Sequence, residues 1–459
     1  MSFSPAHASL RFGLGLAPNR PAQDEAALLA GLDGPDEMAQ AYPIEPFDSI
    51  YPAELTFKEM RQAKDPGLQD YVDRIKAQEA RKAQQAAATY LARCLDTPHP
   101  LRERLCAFWA DHFTLQGKGR LVQNREPSFI EDAIRPHIAG KFSTLLRAAV
   151  LHPLMIRYLD QNFSVGPNSP FVAAARPDQT RRPNGLNENL AREILELHSL
   201  GVDGRYSQAD IRQFAELLAG LTVRLGKGTV FEAQRAEPGA EQVLDFRSRQ
   251  WTASLADVEE ALDYLALHPD TARHLSWKLA VHFVSDDPDP ALVQDMVERY
   301  RETDGDLRAV YELLLTHPAA QSEIQAKVKQ PMEFMATSLR SMGVAGRDVM
   351  AMAQKRKTLQ RYVLRDLRRM GQPWLAPGGP DGWPEYAEFW ISPTQLGARL
   401  NWLLKIQSAD FVPQQDPITL AYTALGPRLT HPIRFAAGAA EARHEGVAIV
   451  LASPEFQRR

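Results

Sequence analysis

Apolar and polar residues follow a helical period along most of the chain. Residues 70–95 predict one long helix, because strong helix formers surround the alanines at 86–88. Residues 101–116 predict an amphipathic helix whose apolar face carries Trp109 and His112. From residue 255 onward the same period predicts further helices, with Pro or Gly at most junctions, over 255–267, 270–284, 289–302, 306–315, 331–342, 348–370 and 394–407.

The pattern changes to strand-like only over residues 222–250. Residues 222–225 and 230–232 flank a Gly-Lys-Gly turn, and residues 243–246 form a further strand that can pair with them. We therefore expect an all-α protein with one small antiparallel β-ribbon inserted. Residues 1–459 are expected to form a single large helical domain, with a possible subdivision into 1–221, 222–250 and 251–459.

The densest polar pattern lies at residues 187–198, and it again has a helical period. On a helical wheel the charged and amide side chains separate completely from the apolar ones, which leaves His198 on the apolar, core-facing side. Two interpretations are open. The polar face can be a solvated charge ladder, in which each pair contributes about 0.2–0.5 kcal/mol, or it can face a cleft in which Arg192 lowers the pKa of neighbouring carboxylates. The polar residues are Asn187, Glu188, Asn189, Arg192, Glu193 and Glu196.

His112 lies in the middle of the apolar face of the helix predicted over 101–116. A buried imidazole must still hydrogen-bond, because leaving a polar group unpaired away from water is costly. In the simpler interpretation His112 is a hydrogen-bonded histidine of the core. A carboxylate from the polar segment at 187–198 would be a natural partner.

Two long loops interrupt the helices. The loop at 161–186 leads into the polar segment, and we expect a lid whose Arg176, Arg181 and Arg182 meet an anionic ligand; the alternative is a solvated flexible loop. The loop at 371–393 carries three of the seven tryptophans, among them Trp383. Those rings can form a stacking platform for a planar or carbohydrate ligand, or they can fold back over the helices.

Composition and missing motifs narrow the function classes. A net charge of −4 gives no reason to expect nucleic acid or an anionic membrane as partner. Neither a signal peptide nor an apolar run long enough to span a bilayer is visible, so the chain alone predicts a soluble, cytoplasmic protein. The sequence contains no HExxH, GxSxG, P-loop or paired CxxC motif, and no motif names a metal or cofactor.

Several short motifs together resemble one bacterial family, the domain of unknown function 1800. The resemblance extends over nearly the whole chain, from 11–13 to 453–456, and the Asn-Glu-Asn-x-x-Arg-Glu run at 187–193 is its most specific part. Further matching stretches are 108–113, 200–210, 278–284, 329–334, 371–373 and 382–384.

The resemblance implies a family without a settled activity. Members are often encoded beside a second family that looks like an exported alkaline-phosphatase-type sulfatase. A periplasmic, partner-dependent protein is therefore the alternative to a cytoplasmic one. The chain departs from the family pattern at Ala110, where another polar residue or His is usual, and at Asp111, where Asn is common. The family also accepts Phe at the position of His198.

Two functional hypotheses follow. The first is a hydrolase-like or metal-assisted enzyme for a small or carbohydrate-like ligand. In that enzyme Glu188 or Glu193 would be the acid or base, and Arg192 would be their charge partner. His112 would be the second proton carrier or a metal ligand. The second is a non-catalytic binding or assembly partner of the exported phosphatase-like or sulfatase-like protein. Candidate ligand-binding residues are Trp109, Asn187, Asn189, Arg181, Arg182 and Trp383.

Overall fold

A computed structural model describes residues 4–174, 185–249, 253–322 and 327–459. Helices dominate these residues, as the sequence predicted. Those before residue 200 are Pro5–Arg11, Glu25–Ala30, Glu37–Ala41, Tyr51–Gln62, Leu68–Asp96, Pro100–His112, Glu126–Phe129, Phe142–Val150, Pro153–Tyr158, Pro170–Ala173 and Asn189–Glu193. Those after it are Gln208–Leu218, Leu255–Ala266, Pro269–Phe283, Pro290–Glu302, Leu307–Thr316, Pro331–Ser341, Gly346–Ala353, Arg356–Leu359, Arg365–Arg369, Pro393–Ile406, Pro417–Leu425, His431–Ala439, Arg443–Ala452 and Pro454–Gln457.

Local signals explain most helix boundaries. The helix Gln208–Leu218 begins with a capping box, in which the Ser207 hydroxyl and the Asp210 carboxylate each accept a hydrogen bond from the other residue's backbone N–H. The helix Pro100–His112 ends four residues earlier than predicted, because the backbone N–H and the hydroxyl of Thr114 both donate to the Asp111 carbonyl. That i to i+3 contact closes the last turn.

Short π-helical and 3-10 segments connect the regular helices. The π segments are Ile130–Ile134, Ile194–His198 and Gln360–Leu364. The last of these continues directly from Arg356–Leu359 into Arg365–Arg369, and the region predicted as one helix over 348–370 is instead interrupted at residues 354–355, where the Lys355 backbone is extended. The 3-10 segments are Phe47–Ile50, Arg135–His137, Gln161–Phe163, Pro318–Gln321, Ala387–Phe389 and Gly426–Arg428.

The strand-like region forms two separate hairpins. Leu221–Arg224 pairs antiparallel with Gly228–Phe231, with Leu221 opposite Phe231. Gln242–Val243 pairs with Phe246–Arg247. The expected single ribbon is thus corrected in detail: the segment near 243–246 turns back on itself instead of joining the first hairpin.

The buried apolar residues divide into two clusters. The first contains residues between Ala8 and Ala320, and the second combines Leu14 and the last turns of Leu68–Asp96 with residues from Met332 to Phe456. Helix Pro100–His112 belongs to the first cluster, and the N-terminal end of Pro331–Ser341 to the second. The assignment of 1–459 to one domain, with its subdivision near 222–250, stays a prediction.

Candidate active site

The segment at 187–198 is half α-helix and half π-helix. Asn189–Glu193 is α-helical, and Ile194–His198 continues as a π turn. At its end the Leu197 carbonyl oxygen lies 3.3 Å from Nε2 of His274, and the His198 carbonyl oxygen lies 3.2 Å from Nε2 of His112. Two imidazoles therefore satisfy carbonyl groups that a helix terminus leaves unpaired.

His112 acts in this arrangement as a buried hydrogen-bond donor. Its partner is a backbone carbonyl, not the carboxylate that the sequence suggested. Nδ1 of His112 has no hydrogen-bond partner within the described residues. Burial, followed by the charges of Lys278 and neighbouring histidines, holds the pKa of His112 well below its usual value, so the ring is neutral at neutral pH. Trp109 beside it is fully buried, and its indole N–H donates to the Tyr311 hydroxyl at 2.6 Å.

The polar face of the segment is a partly exposed charge ladder. Arg192 lies 3.3 Å from both Glu188 and Glu196, at i−4 and i+4, and these three side chains are between 24% and 38% exposed. Asn187 joins the segment to the preceding loop: its side-chain N–H donates to the Leu159 carbonyl, and its Oδ1 accepts from the Asn189 backbone. This geometry matches the solvated-ladder interpretation for the Arg192 group.

Glu193 has a different environment from the ladder. Its pKa is raised by burial first, then by the charges of Glu196 and Asp381, against the opposing charge of Arg192. Asp381 belongs to the tryptophan-bearing loop at 371–393. Glu193 is thus the residue of the polar segment whose charge is coupled to that loop. Arg176, Arg181 and Arg182, which the sequence placed in a lid, lie outside the described residues.

A cavity of about 150 Å³ lies where the two apolar clusters meet. Helix Pro100–His112, the π turn Ile130–Ile134, the start of Pro331–Ser341 and the loop at 371–393 all contribute to it. Of the candidate residues named from the sequence, Trp383 lines this cavity. Its apolar walls include Phe113, Phe129, Met332, Trp374, Leu375 and Trp383.

Asp111 fixes the tryptophan loop over the cavity. Both of its carboxylate oxygens accept from the backbone N–H of Trp383, at 2.9 and 3.2 Å. Gly382 has φ of +81°, and a Cβ there would lie 2.8 Å from the Asp111 carboxyl group, so this close approach requires glycine. The indole N–H groups of Trp374 and Trp390 donate to the carbonyls of Ala83 and Pro384. The Trp374 and Trp390 rings therefore fold back over the protein, the second of the two expected arrangements, while Trp383 lines the cavity.

His282 and Glu385 form a hydrogen-bonded pair at the cavity. Nδ1 of His282 lies 2.6 Å from Oε1 of Glu385, and the imidazole lines the cavity. Burial alone would raise the pKa of Glu385, but His282, Lys327 and Arg459 lower it to about 2. Burial lowers the pKa of His282 to about 4, although Glu385 opposes that shift. Near neutral pH the pair is therefore a carboxylate and a neutral imidazole whose Nδ1–H donates, which leaves Nε2 as the basic nitrogen, 3.4 Å from Arg104.

Asp111 differs from Glu385 in its ionisation. Burial first, and then the charge of Glu385, raise the pKa of Asp111 to about 7, while the Trp383 N–H and the charge of Lys278 oppose that shift. Near pH 7 the cavity is thus lined by an imidazole, His282, that is paired with the ionised Glu385, and by a partly protonated carboxyl group, Asp111. Such a separation of pKa values is typical of acid–base sites.

Behind His282 the charges are already paired. Glu333 contacts Arg104 at 3.0 Å and Arg459 at 2.9 Å. Burial would raise the pKa of Glu333, but Arg104, Arg459 and Lys329 lower it. Burial in turn lowers the pKa of Lys329 to about 7. This network holds His282 in a tightly packed, charged surrounding.

The three most informative residues of the cavity, Asp111, His282 and Glu385, were not assigned roles from the sequence. Each lies in or beside a motif that carried the family resemblance, at 108–113, 278–284 and 382–384. A signal was also present in helix Pro269–Phe283, where His274, Lys278 and His282 recur every fourth residue and therefore share one helix face.

Two negative observations concern the described parts of the chain alone. There, no group of three or more His, Cys, Asp or Glu side chains is arranged to hold a metal ion. Nor does any described helix combine the length and the apolar character needed to cross a membrane.

Comparison with known proteins gives one match. The family described as "Protein of unknown function (DUF1800)" matches residues 7–458. The chain belongs to this family. No curated protein and no solved structure matches the chain. Membership in DUF1800 confirms the resemblance found from the sequence motifs and supplies no activity, so the functional argument depends on the cavity itself.

Proposed function

We propose that this DUF1800 protein is an acid–base enzyme with hydrolase-like chemistry on a small ligand bound in the cavity. The carrying observation is the 2.6 Å contact between Glu385 and Nδ1 of His282 at the cavity wall. A carboxylate at Nδ1 fixes the tautomer and orientation of an imidazole, so that Nε2 can accept a proton. In this role His282 is the general base and Glu385 is its positioning residue, and the attacking water or hydroxyl replaces the 3.4 Å contact that Arg104 makes with Nε2.

Asp111 is the general acid of this proposal. Its pKa of about 7 leaves a substantial protonated fraction at neutral pH, as a proton donor to a leaving group requires. In the reaction His282 would take a proton from a water or ligand hydroxyl as that oxygen attacks, and Asp111 would give a proton to the departing group. Asp111 contacts the backbone of Trp383, the proposed stacking surface, and both residues line the cavity together with His282.

The polar segment at 187–198 contributes to this proposal through Glu193. Burial and the charges of Glu196 and Asp381 raise the pKa of Glu193, and we assign this carboxyl group the role of a second acid or base. Arg192 orders Glu188 and Glu196, and His112 supports the end of the segment. Asn187 and Asn189 hold the entry loop, and Trp109 supports the packing behind Phe113.

The test is a turnover screen with p-nitrophenyl acetate, phosphate, sulfate and glucoside. For any substrate that is hydrolysed, Glu385→Gln and His282→Gln should reduce kcat by about 10²–10⁴-fold, the usual contribution of a positioned acid or base. Glu193→Gln should also reduce turnover while leaving Tm nearly unchanged. Glu196→Gln, a partly exposed ladder residue, is the matched control and should keep full activity. Full activity in both cavity variants contradicts the proposal.

A second candidate function is that of a non-catalytic assembly partner. One observation favours it: Leu396, Leu400 and Leu404 lie at i, i+4 and i+8 on helix Pro393–Ile406 and are 38–45% exposed. An exposed apolar stripe is typical of a protein interface. The family resemblance suggests an exported phosphatase-like or sulfatase-like protein as that partner, in the periplasm. Purification from the native host should then yield a stoichiometric complex that Leu400→Lys dissociates; a monomer with intact turnover would argue for the enzyme.

A further inference from the structure

The cavity walls are mainly aromatic and aliphatic. Phe113, Phe129, Trp374 and Trp383 contribute rings, and the Trp374 ring is held by its N–H bond to the Ala83 carbonyl. A volume of about 150 Å³ is similar to that of engineered apolar cavities that bind benzene. The size and the walls therefore suit one aromatic ring.

The cations that line the cavity are already paired. Arg93 lies 2.6 Å from Glu131, and Arg104 lies 3.0 Å from Glu333. The Nη1 of Arg135 lies 2.9 Å from Oε2 of Glu103. These three guanidinium groups have their charge compensated by protein carboxylates. An anionic ligand would have to compete with those carboxylates for them.

Two lining carboxyl groups lack such a partner. Asp111 accepts from the Trp383 backbone, and Glu126 accepts from the Gly117 backbone at 2.8 Å. Across the described residues no Lys, Arg or His lies within ion-pair distance of either carboxyl group, although the more distant Lys278 acts on Asp111. Burial raises the pKa of both groups, as it does for carboxyl groups without a close cation. The unpaired polar atoms of the cavity thus accept hydrogen bonds or attract positive charge.

We propose that the cavity binds a small aromatic molecule that is uncharged or positively charged. This inference narrows the ligand class of the proposed enzyme and depends on that function only in treating the cavity as its substrate site. The ring lies among the aromatic walls, and a hydroxyl or amino group donates to Asp111 or Glu126. A carboxylate in the same position would face the two unpaired carboxyl groups, and among the described residues the guanidinium groups that line the cavity are all paired with protein carboxylates.

Three probes of one shape test the charge preference. Benzylamine, benzyl alcohol and benzoate share a single ring and differ in the polar group. Titration followed by ligand-observed NMR at pH 7 should give Kd on the order of 1 mM for the amine and the alcohol, the range for ligands of this size. Benzoate should bind about 10-fold more weakly or worse. Equal or tighter binding of benzoate, or no binding by any probe, overturns the inference.

Cavity-filling variants locate the binding. Ala107→Leu and Ala110→Leu each add bulk at a lining position of helix Pro100–His112. Each should weaken benzyl alcohol binding about 10-fold or more, since the added atoms occupy the space of the ring. Ala309→Leu, at a half-buried helix position away from the cavity, is the matched control and should leave Kd unchanged. Because there are two independent filling variants, the test remains decisive if one of them fails to fold. Unchanged benzyl alcohol binding in a folded variant would show that the probe does not bind in this cavity.

Charge-removing variants test the role of the two carboxyl groups. Asp111→Asn with Glu126→Gln should bring the Kd of benzylamine and benzoate to within about 3-fold of each other, because the unpaired negative charge is gone. A preference that persists in the double variant contradicts the assignment. Since the probes do not react, binding without turnover overturns the enzyme proposal alone, and turnover without probe binding overturns this inference alone.

Discussion

The polar segment at 187–198 and the cavity cluster of Asp111, His282 and Glu385 have similar ingredients and different surroundings. Both combine carboxylates with nearby cations and histidines. In the segment these groups are consecutive in sequence, partly exposed and paired along one helix. In the cavity cluster they come from three distant parts of the chain. Burial raises the pKa of Asp111, whereas His282, Lys327 and Arg459 lower the pKa of Glu385. A run of charged residues in a sequence therefore identifies a charged helix face. The pKa shifts typical of reactive groups depend instead on burial and on charges that the fold brings together.

The largest expected difference between the two regions is in stability. Glu333→Gln leaves Arg104 and Arg459 with an uncompensated buried charge, which should cost about 3–5 kcal/mol of unfolding free energy. Glu196→Gln removes a carboxylate that is 24% exposed from the ladder and should cost less than about 1 kcal/mol. Urea unfolding followed by circular dichroism measures both. Similar losses in the two variants would remove the distinction between the regions.

Asp111 should make stability depend on pH in a direction opposite to that of an ordinary ion-paired carboxylate. Its folded pKa of about 7 lies above the unfolded value of about 3.9, so the folded state binds more protons between these values. The stabilisation is complete below about pH 4 and disappears as the pH rises through 7. Asp111→Asn should therefore gain stability relative to wild type, on the order of 2 kcal/mol, between pH 5 and pH 8.

Paired urea titrations at pH 5, 6, 7 and 8 measure this difference. Asp257, which accepts from the Ser254 hydroxyl and from backbone N–H groups and has a lowered pKa, supplies the matched control. Asp257→Asn should show no pH-dependent difference from wild type over the same range. A constant difference between Asp111→Asn and wild type would mean that Asp111 ionises normally.

A single methyl group added at Gly382 should destabilise the tryptophan loop at 371–393. Gly382→Ala combines a left-handed backbone conformation with a contact 2.8 Å from Asp111, and should cost about 1–3 kcal/mol. It should also displace Trp383 and weaken benzyl alcohol binding. Gly378→Ala, in the same loop with open space around its Cβ, is the control and should change neither property. Tryptophan fluorescence and probe titration report both effects, and a silent Gly382→Ala would contradict the close approach.

The smallest effect is expected in the ladder. Arg192→Met removes two partly exposed pairs at 3.3 Å and should cost about 1 kcal/mol or less. Arg212→Met removes a single i to i+4 pair, with Glu216, in which the arginine is 63% exposed, and should cost less still. Thermal unfolding in low and high salt separates the charge contribution, because screening weakens exposed pairs. If Arg192→Met lost several kcal/mol of unfolding free energy, the segment would resemble the buried cavity cluster and not a solvated ladder.

Local interactions made much of the fold predictable. The apolar period around Trp109 depends on residues within one or two turns, and the helix that it predicted agrees with the structure. The Ser207 capping box is a local interaction of the same kind. The early end of helix Pro100–His112 and the division of residues 348–370 depend on contacts that the period does not record. The helices between Pro417 and Gln457 also went unpredicted.

The candidate site was harder to predict from the sequence, because it too depends on contacts between distant residues. Asp111 meets Trp383 across 272 positions, and His282 meets Glu385 across 103. A helical wheel compares residues on one helix, so it cannot show that two chain-distant carboxyl groups are buried close to one another. Trp383 was found because its Gly/Pro-rich loop is unusual in composition, and His112 was correctly placed in the core while its partner was not.

Because Ile194–His198 forms a π turn, the number of residues in the segment 187–198 determines where its side chains point as much as their identity does. A π turn accommodates an extra residue within a helix. Deleting Leu197 would allow a regular helix to form, but would rotate the upstream residues by about 100° relative to His198. Arg192 and Glu193 would then point elsewhere. The carbonyl that His274 contacts would be lost with Leu197, and the His198 carbonyl that His112 contacts would be drawn back into the helix. A single-codon deletion that preserves helicity should therefore be more disruptive than most side-chain exchanges in this segment.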